Sequence, residues 1–503
     1  MNSSGRHRSG RHQFNTAPRV RCHRICRRRA EGDTETMQKQ HRLIGDRAFY
    51  RHVLGIAIPI MIQNGITNFV SMLDNIMIGL VGTNQMTGVS VVNQLLFVYN
   101  LCIFGGLAGI GIFTAQFWGN QDQEAVRYTF RFKIFVAAVL AVISLLIFRF
   151  AGGPLIRVYL KGDGEAADIA DTFRWARRYM DVMLLQILPF AAAQVYSGTL
   201  RETGETVVPM NAGIAAVFVN LFGNWVLIYG KLGAPALGVE GAAIATVISR
   251  FVELAVLVIW THRNTGRNPY IIGVYRSPKV PWKLAKTMTI KGTPLLANET
   301  LWSAGQAVLT QNYSLRGLTV IAALNISQTI SNVFNIAFIA MGSAIAIILG
   351  QQLGAGKLDT ARDYAAKLAF FSTALCVVTG LLEIAAAPFF PLIYNTEENV
   401  RHMATGLIVI AGIFSPMYAF ENSCYFTLRS GGKTLITFFF DSMFVWISSI
   451  PLLALLVRFT EIPILPMYAL IQSVELIKCV IGYLLMKKGI WVQDLASLHK
   501  KEA

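Results

Sequence analysis

The chain has 503 residues, 54% of them hydrophobic and only 15% charged, with a mean hydropathy of +0.48. An average soluble domain carries about 25% charge, so the composition argues against a soluble enzyme, a disordered chain and a nucleic-acid binder. The net charge of +17 is divided by position: residues 1–36 hold nine Arg against Glu31, Asp33 and Glu35, or +6, and the other +11 lies elsewhere.

The first 36 residues lack the apolar core of a secretory signal. Their Arg- and Ser-rich start resembles a transit peptide, but a disordered tail or a start at Met37 is the simpler reading, and residues 1–48 are assigned to that tail. Cys22, His23 and Cys26 could bind a metal, yet no metal site is assigned. Cys102, Cys376, Cys424 and Cys479 lie far apart in apolar stretches, which is no disulfide framework.

A membrane-spanning helix needs about 20 mostly apolar residues. Twelve runs qualify, near 53–78, 86–113, 132–153, 178–200, 207–229, 238–260, 287–313, 320–349, 366–393, 404–427, 435–457 and 464–486. The fold class is therefore all-α integral membrane, with twelve transmembrane helices in two homologous six-helix bundles. The bundles are placed at 49–262 and 286–490, with a cytoplasmic linker at 263–285 and a cytoplasmic tail at 491–503. With the N-terminus inside, 24 Lys and Arg fall on the inner side and 9 on the outer. This bias puts both termini in the cytoplasm of a plasma (inner) membrane. The basic connection between spans 3 and 4, with Arg174, Arg177 and Arg178, runs against it.

The chain repeats itself. An offset of 235 residues aligns Pro59 with Pro294, Gly82 with Gly317, Asn100 with Asn335, Gln116 with Gln351, Gly119 with Gly354 and Arg127 with Arg362. At an offset of 228, Thr199-Leu200-Arg201 matches Thr427-Leu428-Arg429, Gly204 matches Gly432 and Thr206 matches Thr434. Six spans is an even number, so both halves insert the same way up and are related by an axis along the membrane normal. Such folds place the substrate cavity between the halves.

Span 1 reads Pro59-Ile-Met-Ile-Gln63-Asn64 and continues to Leu73-Asp74-Asn75 and Gly79-Leu-Val-Gly82. Span 2 ends Thr114-Ala-Gln116-Phe-Trp-Gly119, span 4 ends Leu200-Arg201-Glu-Thr-Gly204, and span 6 begins Gly238-Val-Glu-Gly241. In order, spacing and duplication these segments resemble the multidrug and toxic compound extrusion (MATE) family over about residues 45–490, and Pro294…Asn298-Glu299-Thr-Leu-Trp302 resembles its bacterial branch. The resemblance implies an antiporter, not an enzyme. It would export organic cations, drugs or other amphiphiles against inward H⁺ or Na⁺, with no cofactor, its partners being the small-molecule substrate and the lipid bilayer. No nucleic acid is expected, and the chain is expected to act as a monomer.

Acids inside spans are costly and default to functional candidates. Asp74 lies 15 residues past Pro59, about 22 Å along a helix, with Leu309 as its repeat partner. Burial favours the neutral form of a carboxylic acid, which lets such a group alternate between proton-bound and cation-bound states. The bland alternative is an interfacial cap. In the family, an N-terminal-half cation site joins an Asp on span 1 to an Asn and an Asp on span 5 and a Thr on span 6. Asp74, Asn220 and Thr246 match three of these, and Asn224 stands where the second Asp would be. This departure removes a charge and leaves proton exchange on Asp74 as the simpler option. In the family, an acid at the place of Glu299 belongs to a C-terminal-half cation site, which Asp441 could join, as could Glu421. Glu475 with Lys478 and Glu253 with Arg250 read as local ion pairs, and Glu383 is unassigned. Pro59 and Pro294 are candidate hinges. Gln63, Asn64, Tyr196 and Glu421 are candidate cavity residues, as are Tyr99, Phe334, Met341 and Tyr425. Gly105, Gly109 and Gly111 read as close-packing residues. A flippase for lipid-linked precursors, a membrane-embedded enzyme and a channel are the alternatives. The intramembrane acids, the lack of a catalytic cluster and the duplication each disfavour one of them.

Overall fold

A computed structural model describes residues 43–497 apart from 80, 161–165 and 395. The Cys22, His23, Cys26 segment and the rest of the tail up to residue 42 lie outside the described residues. Leu43 and Ile44, both exposed, fall in one unit, and the second unit begins at Gly45. There Asp46 caps the first helix by accepting a hydrogen bond from Phe49 N at 2.7 Å, which satisfies one orphan N–H of the first turn.

Twelve long helices follow, and no strand occurs among the described residues. They are α1 (Arg47–Gly79), α2 (Thr83–Gly119), α3 (Gln123–Tyr159), α4 (Ala167–Glu202), α5 (Val207–Tyr229) and α6 (Val239–Arg263) in the first half. The second half has α7 (Trp282–Ser314), α8 (Leu318–Gly354), α9 (Leu358–Ala386), α10 (Glu398–Ser430), α11 (Thr434–Phe459) and α12 (Ile464–Lys488). Among the described residues eleven are both long and apolar enough to cross a bilayer. The twelfth, α7, is 33 residues long but carries Lys283, Lys286, Lys291, Asn298 and Glu299. Every predicted span is a helix, and most overrun their predicted ends. Hydropathy marks only the stretch that suits hydrocarbon, whereas the backbone ladder continues until a cap stops it. In α3 that cap is Asp122, which accepts from Ala125 N at 3.0 Å. The linker accordingly shortens to residues 264–281.

The duplication reappears in the helix lengths. α1 and α7 both have 33 residues, α2 and α8 both 37, and α6 and α12 both 25. Even the turn after α2 repeats after α8: Gln121 has φ 57° and its 235-offset equivalent Gly356 has φ 73°. The halves meet through α2 and α8, with α2 against α7, α8 against α1, and α2 against α8. Small residues make this approach close. A Cβ on Gly109 would lie 3.0 Å from Gly292 N, and one on Gly105 would lie 3.1 Å from Leu296 Cα, both on α7. Gly111 instead leaves room for Glu202 of α4.

The tightest contacts between halves lie at the end that carries the linker, here called the linker end. Gln116 Nε2 donates to Ser430 O at 2.9 Å, and its repeat partner Gln351 Nε2 donates to Glu202 O at 2.9 Å. Ser430 and Glu202 are themselves equivalent at the 228 offset, so each half holds the other's fourth helix by the same bond. A Cβ on Gly119 would lie 2.8 Å from the carbonyl carbon of Gln351, and one on Gly354 would lie 2.5 Å from that of Gln116. The segment after α12 covers this junction. Trp491 is buried in the core built by α1, α8, α9 and α10, while Leu495 and Ala496 are buried in the core of the first half. Leu495 N donates to Gln116 Oε1 at 2.7 Å.

Two features explain why polar groups survive inside the bundle. Pro59 has no N–H, so α1 runs on without a partner for Gly55 O, and Thr206 Oγ1 donates to that carbonyl at 3.3 Å. Lys133, 1% exposed, pairs with Glu202 and donates to Thr199 Oγ1 at 3.1 Å. Glu202→Ala would strand this ammonium, at a cost of about 3–5 kcal/mol. Thermal denaturation of the purified protein is expected to show that loss, and the double change with Lys133→Met to recover most of it.

Candidate functional site

The residues singled out in the first half come together. Asp74 sits in α1, five residues before its end. Asn224 Nδ2 on α5 donates to Asp74 Oδ1 at 2.7 Å. Asn220 lies one turn earlier on α5, on the same face. With its amide nitrogen turned to the carboxylate, it donates to Asp74 Oδ1 and Oδ2 at 3.0 and 3.2 Å, and its oxygen accepts from Thr246 Oγ1 at 3.1 Å. Three helices of one bundle thus converge on one carboxylate, all through neutral groups. Among the described residues no ion pair involves Asp74. Asn224 Oδ1 is buried without a hydrogen-bond partner. Arg250, one turn past Thr246 on α6, is taken up by Glu253 at 2.8 Å, as the sequence spacing predicts. Asp74 is therefore not a terminal cap of α1.

The second half gathers its acids differently and at another depth. Glu299 lies at the middle of α7, packed against Gly105 of α2, with Tyr425 and Arg429 of α10 beside it. Its neighbour Asn298 is the organising residue. Asn298 Nδ2 donates to Asp441 Oδ2 at 2.9 Å, and Ser442 Oγ donates to Asn298 O at 2.7 Å. These bonds hold α11 to α7 where α11 widens into two π-helical turns, Phe439–Met443 and Val445–Ser449; such turns are frequent at functional sites. Asp441 Oδ1 lies 3.4 Å from Lys478 Nζ on α12, and Glu475 Oε2 lies 3.2 Å from it. Glu421 of α10 pairs with the same ammonium. The Glu475–Lys478 pair is present as the spacing predicts, but Lys478 also draws in two further acids that sequence spacing does not connect to it.

Other candidates fall elsewhere. Gln63 Oε1 accepts from Arg201 Nη2 at 2.7 Å, which ties α1 to the end of α4. Asn64 is half-buried on α1. Tyr196 is bonded to Tyr275 of the linker and packs edge-on against Phe130 at 5.1 Å. With Ile134, Ala137 and Leu188 it lines an apolar recess of about 270 Å³ on the first half, and the contacts it makes include none of the acids above. Pro294 lies inside an unbroken α7. Glu383, buried in α9, accepts from Ser331 Oγ at 2.6 Å. The three arginines that ran against the charge bias are each paired: Arg174 with Asp171 at 2.6 Å, Arg177 with Asp181 at 3.1 Å and Arg178 with Glu240 at 3.3 Å.

Comparison with known proteins fits this fold. The MatE family model matches residues 59–226 and 294–457, one match in each half. A probable multidrug resistance protein NorM of Thermotoga maritima is 23% identical over 417 residues, covering 82% of this chain and 87% of that protein. The multidrug resistance protein MdtK of Edwardsiella ictaluri is 24% identical over 404 residues, covering 80% and 86%. Among solved structures, an outward-facing multidrug resistance MATE transporter of the MOP superfamily superposes with a TM-score of 0.77 at 16% identity, covering 92% of this chain and 98% of that one.

Proposed function

Because the chain belongs to the MatE family, matched over both halves, we propose that it is a proton-coupled antiporter that expels cationic or amphiphilic small molecules by alternating access. The observation that carries this reading is Asp74, a carboxylate inside a membrane span held by amides from one helix and backed by a hydroxyl from another. Neutral donors hold the charge in place without cancelling it. The group can therefore take a proton or attract a cation, and the competition between the two supplies the differential affinity that a conformational shift requires.

Asn224 in place of a second acid favours H⁺ over Na⁺ as the coupling ion. The Lys and Arg bias, 24 against 9, supports a linker end in the cytoplasm of a plasma (inner) membrane. With that end sealed by Gln116, Gln351 and the C-terminal segment, the conformation is read as one that opens outward. A single chain supplies both halves and acts as a monomer.

The test uses proteoliposomes loaded with a fluorescent organic cation, under either a proton or a sodium gradient at clamped membrane potential. Proton-driven efflux is the expected result. Sodium-driven efflux alone would move the coupling ion to Na⁺. Silence under both gradients with folded protein would favour the lipid-precursor flippase.

A further inference from the structure

Lys478 is the most deeply buried basic side chain of the second half among the described residues, with 3% of its side chain exposed. Its ammonium sits among three carboxylates, each from a different helix: Glu421 on α10, Asp441 on α11 and Glu475 on α12. An ammonium has three N–H donors and no acceptor, so this is the set of oxygens that a bound cation would gather. Phe440 and Phe444 of α11 stand 5.7 and 5.8 Å from the same nitrogen. Glu421 Oε2 is out of contact with solvent and has no hydrogen-bond partner, so the cluster has acceptor capacity beyond what Lys478 uses. Ser449 Oγ takes up Glu475 Oε1 at 3.0 Å, and Asn298 takes up Asp441 Oδ2. Glu299 and Arg429 are the other charged groups facing this region, from α7 and α10.

We infer that Lys478 is a resident cation that fills the carboxylate site of the second bundle and keeps sodium out of it. The inference rests on the reading that carboxylates inside the bundles couple an ion, and it identifies the residue that sets which ion the second half admits. With every acid ionised, Glu421, Asp441 and Glu475 against Lys478 leave a charge of −2. Protons can reduce that charge one at a time without displacing the ammonium. A metal cation would have to compete with an ammonium that is covalently tethered and cannot diffuse away. Removing the ammonium while keeping the acids opens the site to an external monovalent cation.

The test is a thermal denaturation series on purified protein in sodium chloride against potassium chloride at equal ionic strength. Its readout is sodium binding, so it is independent of whether any substrate is exported. Wild-type protein should unfold at the same temperature in both salts. Lys478→Met should gain a saturable, sodium-specific rise of at least about 3 °C, and the double change with Glu421→Gln should lose it. A folded Lys478→Met protein indifferent to sodium would overturn the inference. If that variant does not fold, the wild type decides: sodium-specific stabilisation that Glu421→Gln removes and Asp74→Asn leaves intact would also overturn it, and its absence would support it.

Discussion

Asp74→Asn is expected to abolish ion-driven efflux while leaving the fold intact. Asparagine matches the carboxylate in shape and keeps an oxygen that accepts from Asn224 Nδ2, the 2.7 Å bond of the native site. The exchange of a charge-assisted hydrogen bond for a neutral one costs about 1 kcal/mol of stability, so expression and thermal midpoint should change little. What disappears is the ability to alternate between a negative and a neutral state. Since a ligand shifts a conformational equilibrium only by its differential affinity for the two states, a permanently neutral group gives the proton nothing to act on. Coupling energies of about 1–3 kcal/mol correspond to factors of 5–150. Efflux under an imposed proton gradient should therefore fall by at least about tenfold, and the affinity for a fluorescent organic cation should no longer change with pH. Asp74→Glu, which keeps the charge on a longer stem, should restore part of both. Wild-type, pH-dependent efflux by Asp74→Asn would remove Asp74 from the mechanism.

The parts of this molecule that were legible in the sequence are those written locally or repeated. The 235-residue offset carries the lengths of α1 and α2 into α7 and α8 as well as the motif positions, with Gly82 and Gly317 just before α2 and α8 and Gly119 and Gly354 at their ends. Asp74, Asn220, Asn224 and Thr246 could be grouped because Asn220 and Asn224 are one turn apart and the resemblance supplied the other two. Lys478 was visible only through Glu475, three residues away. Its tie to Asp441 spans 37 residues and two helices, and no periodicity links them. Gln116 and Gln351 were aligned as a repeat pair, but each finds its partner in the opposite half, so their shared role emerges only when the halves are placed together. The partner of Tyr196 was hidden for a similar reason. The linker folds back to give it Tyr275, a contact that depends on the path of residues 264–281.

Gly354→Ala addresses the seal at the linker end. A Cβ at this position would overlap the carbonyl oxygen of Gln116 and lie 2.5 Å from its carbonyl carbon. These are backbone atoms of α2, so no side chain can rotate away to make room. The two halves must separate here, and with them the Gln116 bond to Ser430 and the seat of Leu495. Overpacking of this kind costs about 1–3 kcal/mol. The cost falls only on the conformation in which α2 and α8 touch, so the effect is a shift of population away from it by a factor of about 5–150. Spin labels at Arg263→Cys and Asp359→Cys, exposed positions at the linker end of the two halves, report the change. Wild-type protein should give a short distance, and Gly354→Ala a longer one, with slowed efflux. Gly119→Ala tests the logic independently, because it places the same extra atom against Gln351 from the opposite half. If both variants kept the short distance and the wild-type rate, the seal would be soft enough to absorb a methyl group. If only one did, the two equivalent contacts would carry unequal weight, and the half that fails would be the one that gates.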